Sequence, residues 1–500
     1  MQRRSERKAG SSSGSITLFL ALVLTLVLSF CFSLLEAARV QCLSQMAQRR
    51  LLLDLESAFG EYHPALWQDY RLLFLDGSAG TDGLDLPLLE GHIMEESDLG
   101  QKGASFLQMA FRGIEISGYT LATDFHGAAF EAQASKAAKE QLAAGAADEL
   151  KKKLEKGEEM AAQKQDIESK WNQAQDAVND AGDIQEKDKI NDAREGAPAG
   201  GGKELPENPM EVAGLLKRSS ILNVVVENPS ELSGKSIPAA NSLKDRKKEA
   251  GTLEKPKTGS LEKIWFLQYL NYYFSCYTGA GEHGGKTHAL DYELEYIIAG
   301  KETDIKNLEK VVKELLLIRE VGNFATILQD GKKQALALEM AAATIGFTGI
   351  APLVEAVKLG ILLAWSYMES IMDLRSLLAG GTVPLIKKPS DWKSDVTLGW
   401  KALGQKPEKT EEENGWGYRE YLLLLLALVR ENTLVYRAMD VVEQNLRQMP
   451  GGEKFRMDCQ IYRVEAEGLY TSQPLFLGFV TVGGKADGVY HFQKSQRFSY

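Results

Sequence analysis

The chain has 500 residues, 44% of them hydrophobic, a length that allows two or three domains around an ordinary core. A formal net charge of −11 and no concentrated basic patch argue against a nucleic-acid partner. Four cysteines without a CxxC spacing are too few for a disulfide scaffold, and Cys276 and Cys459 read as small buried apolar residues.

Residues 1–15 form a short basic leader, with Arg3, Arg4, Arg7 and Lys8 against Glu6. Residues 16–35 (ITLFLALVLTLVLSFCFSLL) carry no formal charge. As a helix they rise about 30 Å, the thickness of a bilayer core. This predicts a single transmembrane helix with its N-terminus in the cytoplasm and the bulk of the chain outside it. A cleaved secretory signal is the rival. It expects only about 7–15 apolar residues and a small-x-small site, and Leu35-Glu36-Ala37-Ala38-Arg39 is a poor one. Bulky Phe30 ahead of Cys31 argues against a lipoprotein.

Residues 34–59 contain no Gly or Pro, and Leu35, Val40, Leu43, Ala47, Leu51, Leu52, Leu55 and Phe59 recur at roughly helical spacing. The helix is therefore expected to continue as a stem, reaching about 66 Å from residue 16 to 59. Residues 36–126 are read as this stem plus a small α/β portion: a strand over 70–77, a loop over 78–104, and one or two strands in 105–125. Residues 127–195, rich in Ala, Lys, Glu, Gln and Asp, read as a charged, solvated helical insert. Residues 196–260, rich in Gly, Pro, Ser and Lys, read as a flexible linker. Its 215–229 island is expected to dock as a short strand or helix.

From 261 to 450 the pattern is that of a helical globular domain. It holds a dense aromatic helix after 261, a unit that begins at 290–300 and runs through 307–328 with helical Leu/Val spacing, two packed helices in 333–379, and a helix over 421–449. Ala351–Met368 and Leu422–Val429 are charged or short enough to read as core helices rather than further spans. Residues 451–500 alternate with period two, as in a small antiparallel sheet. The fold class is thus α+β, mainly α.

The chemical motifs are weak. Ala280-Gly281-Glu282-His283-Gly284-Gly285-Lys286-Thr287 fits a relaxed phosphate loop, but such a loop needs a buried strand before it and a helix after it. The preceding residues space their apolar side chains like a helix, so a Gly-rich surface loop is preferred. His283 and His288 lie five apart near Glu282 and Asp291, short of the three or four convergent ligands a metal needs. Asp291, Glu293 and Glu295 could supply a carboxylate pair for glycoside hydrolysis, but spacing alone shows only a shared strand face, if the segment is a strand. No catalytic residue, metal ligand or cofactor site is assigned.

Two places carry a resemblance. Gly14-Ser15-Ile16-Thr17, with Leu35-Glu36-Ala37-Ala38-Arg39 closing the apolar run, resembles the leader of TadE/TadG-type pilin-like proteins of the tight-adherence (Tad) pilus. The same GSIT and LLEAAR elements, with the LFLDG segment in 70–77, are similar to domain-of-unknown-function family 5702. So are Tyr292-Glu293-Leu294-Glu295-Tyr296-Ile297-Ile298-Ala299-Gly300-Lys301, Ile318-Arg319-Glu320, and Leu377 to Lys387. The 127–260 segment contributes nothing to the resemblance. It implies a surface location and an assembly context, with the lipid bilayer and other pilus, secretion or envelope proteins as partners. Counting five residues on from Gly14, Phe19 stands where classical pilins carry Glu, which points to an accessory anchor rather than a polymerised pilin. The leading expectation is a membrane-anchored extracytoplasmic structural protein, not an enzyme. The alternatives are an anchored envelope-polymer hydrolase and a nucleotide-binding regulator.

Overall fold

The computed structural model describes residues 13–98, 106–141, 146–177, 179, 209–255, 262–279, 288–345, 350–394, 406, 408–412, 414–476 and 488–500. Helix α1, Ser13–Gly60, is continuous, as the absence of Gly and Pro from 16 to 59 allows. Its most apolar stretch has a mean hydropathy of 2.7 and is wholly exposed. From residue 36 burial takes a helical period: Glu36, Arg39, Leu43, Ala47, Leu51, Leu55, Ala58 and Phe59 turn inward.

That buried stripe lies on a four-stranded antiparallel sheet. Strand β1 is Leu75–Asp76, β2 Ala110–Leu121, β3 Gln460–Ser472 and β4 Tyr490–Ser499. β3 pairs with all three others, with Ile116 opposite Ala466 on one side and Phe498 opposite Val464 on the other. Its inward residues Ile461, Val464, Ala466 and Tyr470 meet the α1 stripe. The sheet is therefore closed by segments about 350 residues apart in sequence, as the hydrogen bond from Ser117 Oγ to the Glu465 carbonyl shows (3.1 Å, 348 residues apart).

The second core is helical. It is built from α2 (Pro64–Tyr70), α4 (Asp124–Gln141), α5 (Ala146–Ala162), α6 (164–177), α7 (Pro209–Arg218) and α8 (Leu222–Val225). It continues through α9 (Glu262–Tyr273), α10 (Glu293–Ala299), α11 (Asp304–Ile327), α12 (Gly331–Ile345), α13 (Ala351–Leu378), α14 (Tyr418–Leu428) and α15 (Glu431–Arg447). α13 is the other helix long and apolar enough to cross a membrane, but 56% of its apolar stretch is buried, and it packs on α11 and α12 as a core helix. Leu422 to Leu426 of α14 are buried in the same way. The architecture is mainly helical α+β, as the sequence predicts.

Several local expectations are corrected. The strand expected over 70–77 shrinks to Leu75–Asp76, because Tyr70 closes α2 and Arg71 turns left-handed (φ 55°). The loop expected over 78–104 contains helix α3, Leu86–Asp98, whose Leu89 and Ile93 reach the α1 core. The expected helix over 421–449 is two, broken at extended Val429 and Arg430. The 127–195 segment is helical where described, yet much of it is not solvated. Ala129, Phe130 and Ala134 of α4, Leu150 and Leu154 of α5, and Ile167 and Trp171 of α6 join the core. Small Ala faces let helices approach closely, so a sequence poor in large apolar residues can still be buried. The linker reading of 196–260 also gives way where residues are described. α7 and α8 dock as helices, and Leu222, Val225, Ile237 and Leu243 are buried.

Candidate functional site

The resemblance residues of 292–301 form α10 (Glu293–Ala299) and its two ends, which settles the open strand-or-helix question as helix. Two residues apart on a helix is about 200° of rotation, so Glu293 and Glu295 face different partners although both are fully buried. Glu293 accepts from the Ser275 backbone N–H (2.8 Å) and Asn445 Nδ2 (2.6 Å) and pairs with His288 Nδ1 (2.8 Å). Burial pushes its carboxyl up, but these partners outweigh burial and hold it below the usual range. Glu295 accepts from the Tyr277 N–H (2.9 Å) and the Tyr418 hydroxyl (2.8 Å). With no cation among those partners, burial wins and raises it to about 7. Asp291 instead pairs with Lys235 (2.8 Å). The three acids therefore do not converge as a hydrolytic pair. His288 lies in the Glu293–Asn445 cluster, while His283 and the whole 280–287 motif lie outside the described residues. Ahead of that motif stand α9 and the 3₁₀ turn Tyr277–Gly279, not the strand a phosphate loop requires. Among the described residues no three His, Cys, Asp or Glu side chains gather as a metal site.

Tyr292 binds the segment read as linker directly, and Tyr296 reaches it through Asp440. The Ser233 N–H donates to the Tyr292 hydroxyl (3.0 Å), and Ser233 Oγ donates to Asp304 (2.7 Å). The Tyr296 hydroxyl donates to Asp440 (3.2 Å), which also accepts from the Leu243 N–H (2.6 Å) and Ser242 Oγ (3.1 Å). Tyr292 also lines a cleft of about 430 Å³ with Glu227, Asn228, Glu231 and Tyr277. Gly300 ends α10 in the left-handed region (φ 63°), and a Cβ there would strike the Arg437 guanidinium. That guanidinium caps the helix by donating to the Ile297 and Ile298 carbonyls (3.0 and 2.6 Å). Lys301 enters through its backbone, whose N–H and C=O are both held by the Asn307 side chain (2.7 and 3.0 Å).

Arg319 and Glu320 are fully buried on α11. Arg319 donates from Nη2 to Asp373 (2.8 Å) and from Nη1 to the Pro384 and Leu385 carbonyls (2.9 and 2.8 Å) and the Tyr421 hydroxyl (3.0 Å). Two resemblance segments about 60 residues apart, 318–320 and 377–387, are thus one cluster in space. Lys387 completes it, pairing with Glu369 (2.7 Å) and Asp373 (2.6 Å). Burial alone would raise Asp373, but the Arg319 and Lys387 charges outweigh it and hold the carboxyl down. Glu320 faces the former insert, accepting from the Trp171 indole N–H with Lys217 3.7 Å away. The Lys217 ammonium sits 3.5 Å from the Trp171 ring centroid, and burial lowers it to about 8 against the pull of Glu320.

This arrangement is a buried polar framework joining α10, α11, α13 and α15 to the 209–255 segment. Sequence reasoning missed Asp373, Asp440 and Asn445, whose role comes from contacts across the fold. The one available signal was their polarity inside apolar helical stretches.

Residues 200–472, more than half of the chain, match the family of unknown function DUF5702. The chain belongs to DUF5702. The matched span begins inside the segment read as linker and includes both the α10–α11 and 377–387 clusters. The GSIT, LLEAAR and 70–77 elements lie outside it, so they form no part of this match. No curated protein and no solved structure matches the chain at a significant level.

The leader residues are placed differently. Gly14, Ser15, Ile16 and Thr17 lie in the first turns of α1, and Ile16, Thr17 and Leu35 are exposed. Glu36 and Arg39 are buried and paired (3.0 Å). Arg39 Nε donates to the Phe106 carbonyl (2.8 Å), Nη1 to the Gln473 carbonyl (3.0 Å) and Nη2 to Ser472 Oγ (2.8 Å). Glu36 accepts from the Leu475 and Phe476 N–H groups (both 3.3 Å). The pair latches α1 to the loops before β2 and after β3.

Proposed function

We propose that this DUF5702 protein is a membrane-anchored extracytoplasmic structural protein, accessory to a Tad-like pilus or secretion apparatus. The observation that carries this reading is α1: one helix whose first half is apolar and exposed and whose second half is built into a sheet. A cleaved signal sequence has no need of such continuity, because its apolar part leaves the mature fold. A pilin-type stem does need it. The resemblance of the leader supports the Tad assignment, and Phe19 at the position of the pilin Glu supports an accessory role. The buried acids and basic groups of the family region support a structural role, since they bind one another and the backbone across the core.

Cell fractionation with protease shaving of intact cells tests the location. The full-length chain is expected in the membrane fraction, with its C-terminal region digested from outside. A soluble protein, or a protected C-terminal region, overturns it. A photo-crosslinker at Phe19 tests the assembly context, with pilin-like or secretion components as the expected adducts. Adducts to lipid alone would remove the Tad part of the proposal.

A further inference from the structure

Where the apolar run of α1 meets the sheet domain, the domain presents an apolar collar of its own. Phe476 stacks on Phe32, a residue of the run, with centroids 5.3 Å apart and planes at 6°. Phe106, from the loop before β2, tilts against Phe476 at 5.9 Å. Phe106 and Leu475 are 50% and 54% exposed, beside a helix that is itself uncovered. These are not side chains on loose ends. The Glu36–Arg39 pair binds the backbone of Phe106, Gln473, Leu475 and Phe476, fixing both loops to α1.

The height of the collar identifies what covers it. Phe32 lies four residues before Glu36, about 6 Å along the helix axis. If residues 16–35 fill the bilayer core, the collar lies at the boundary between acyl chains and headgroups, where aromatic side chains concentrate. We infer that Phe106, Leu475 and Phe476 dock onto the outer leaflet of the lipid bilayer. They seat the sheet domain on the membrane surface at a fixed angle to α1. The buried salt bridge beneath them keeps its charges paired within reach of the acyl region, where an unpaired charge is costly.

This inference rests on the anchor reading, and the test separates the two. The full-length chain, with Cys31→Ser and Cys42→Ser, is reconstituted in vesicles of phosphatidylcholine and phosphatidylglycerol. Spin labels are placed singly at L22C in the apolar run, at L475C in the collar, and at S499C at the far end of β4. Collision with oxygen and with a water-soluble nickel complex reads the depth of each label. Leu22 is expected deep, Ser499 in water, and Leu475 at headgroup depth with severalfold less nickel collision than Ser499. If Leu22 is deep and Leu475 is as open to nickel as Ser499, the collar is overturned and the anchor stands. A Leu475 label shielded from both reagents and close to a second label means the collar contacts another copy of the chain, which also overturns it. A Leu22 label in water overturns the anchor reading itself.

Discussion

Two buried arginines hold this protein together, and they do different work. Arg319 sits at the centre of the helical core with Asp373, Lys387 and Glu369, all four fully buried. It joins α11 to α13 and to the turn that carries Pro384 and Leu385. Arg39 has one carboxylate partner, Glu36 on its own helix, and directs its remaining donors to loop backbone and to Ser472. The difference teaches where a buried charge is structural at long range and where it is a local clasp. Burying two charges is expensive unless each is paired and hydrogen-bonded, so removing one partner costs more than the pair contributes. The core cluster has the most groups left stranded by a single loss; the latch has one.

The largest effect is expected for Asp373→Ala, which leaves Arg319 and Lys387 without their shared counter-charge. A loss of about 3–5 kcal/mol is expected, read by urea unfolding of the full chain in detergent micelles. A loss no larger than that of an exposed pair, ~1 kcal/mol, would break the comparison. Arg39→Ala is expected to cost less, about 1–3 kcal/mol for a stranded buried group. Its distinctive readout is local: amide exchange at Leu475 and Phe476 accelerates while α11 and α13 stay protected. Uniform acceleration would mean that the latch and the core are one cooperative unit.

A third effect follows from pH. Because burial raises Glu295 to about 7, the folded chain keeps a proton there that the unfolded chain has already released. The stability that Glu295 contributes therefore falls as pH rises from the ordinary carboxylate range to about 7, by at most ~1.4 kcal/mol per pH unit. Asp440, raised by burial to about 6, adds a slope of the same sign. Glu295→Gln is expected to flatten the slope in part, seen as urea midpoints that change less across this range. An unchanged slope would remove Glu295 as its source. The smallest effect belongs to Lys313→Ala, which breaks an exposed i,i+4 pair with Glu309 (2.7 Å). A change of about 0.3–0.5 kcal/mol is expected in the same unfolding assay, which sets the scale for the other variants.

How far the fold could be read in advance depended on how local each signal was. The length of α1, the pairing of α12 with α13 and the terminal sheet were legible because each rests on a repeating apolar pattern within one segment. α3, and the burial of α4 to α7, were not. The many small or polar residues of α4 to α7, and the Gly- and Asp-bearing loop sequence around α3, are ambiguous until a partner surface decides which face is covered. The site was legible only as fragments. Arg319 and the 377–387 segment stood out separately, but nothing in the chain says that the Arg319 guanidinium reaches the Pro384 carbonyl. Asp373, Asp440 and Asn445 carried no motif at all.

The sequence by itself determined where apolar character is continuous: twenty uncharged residues, followed by a helical stripe with no breaker. Backbone hydrogen bonding and the helical period are local properties, so a local pattern suffices. Only the tertiary structure decided what that stripe rests on, which charges are buried together, and that the loops bearing Phe106 and Phe476 end beside Phe32. Those facts depend on residues hundreds of positions apart meeting in one core, and desolvation acts on the assembled neighbourhood rather than on any segment of the chain.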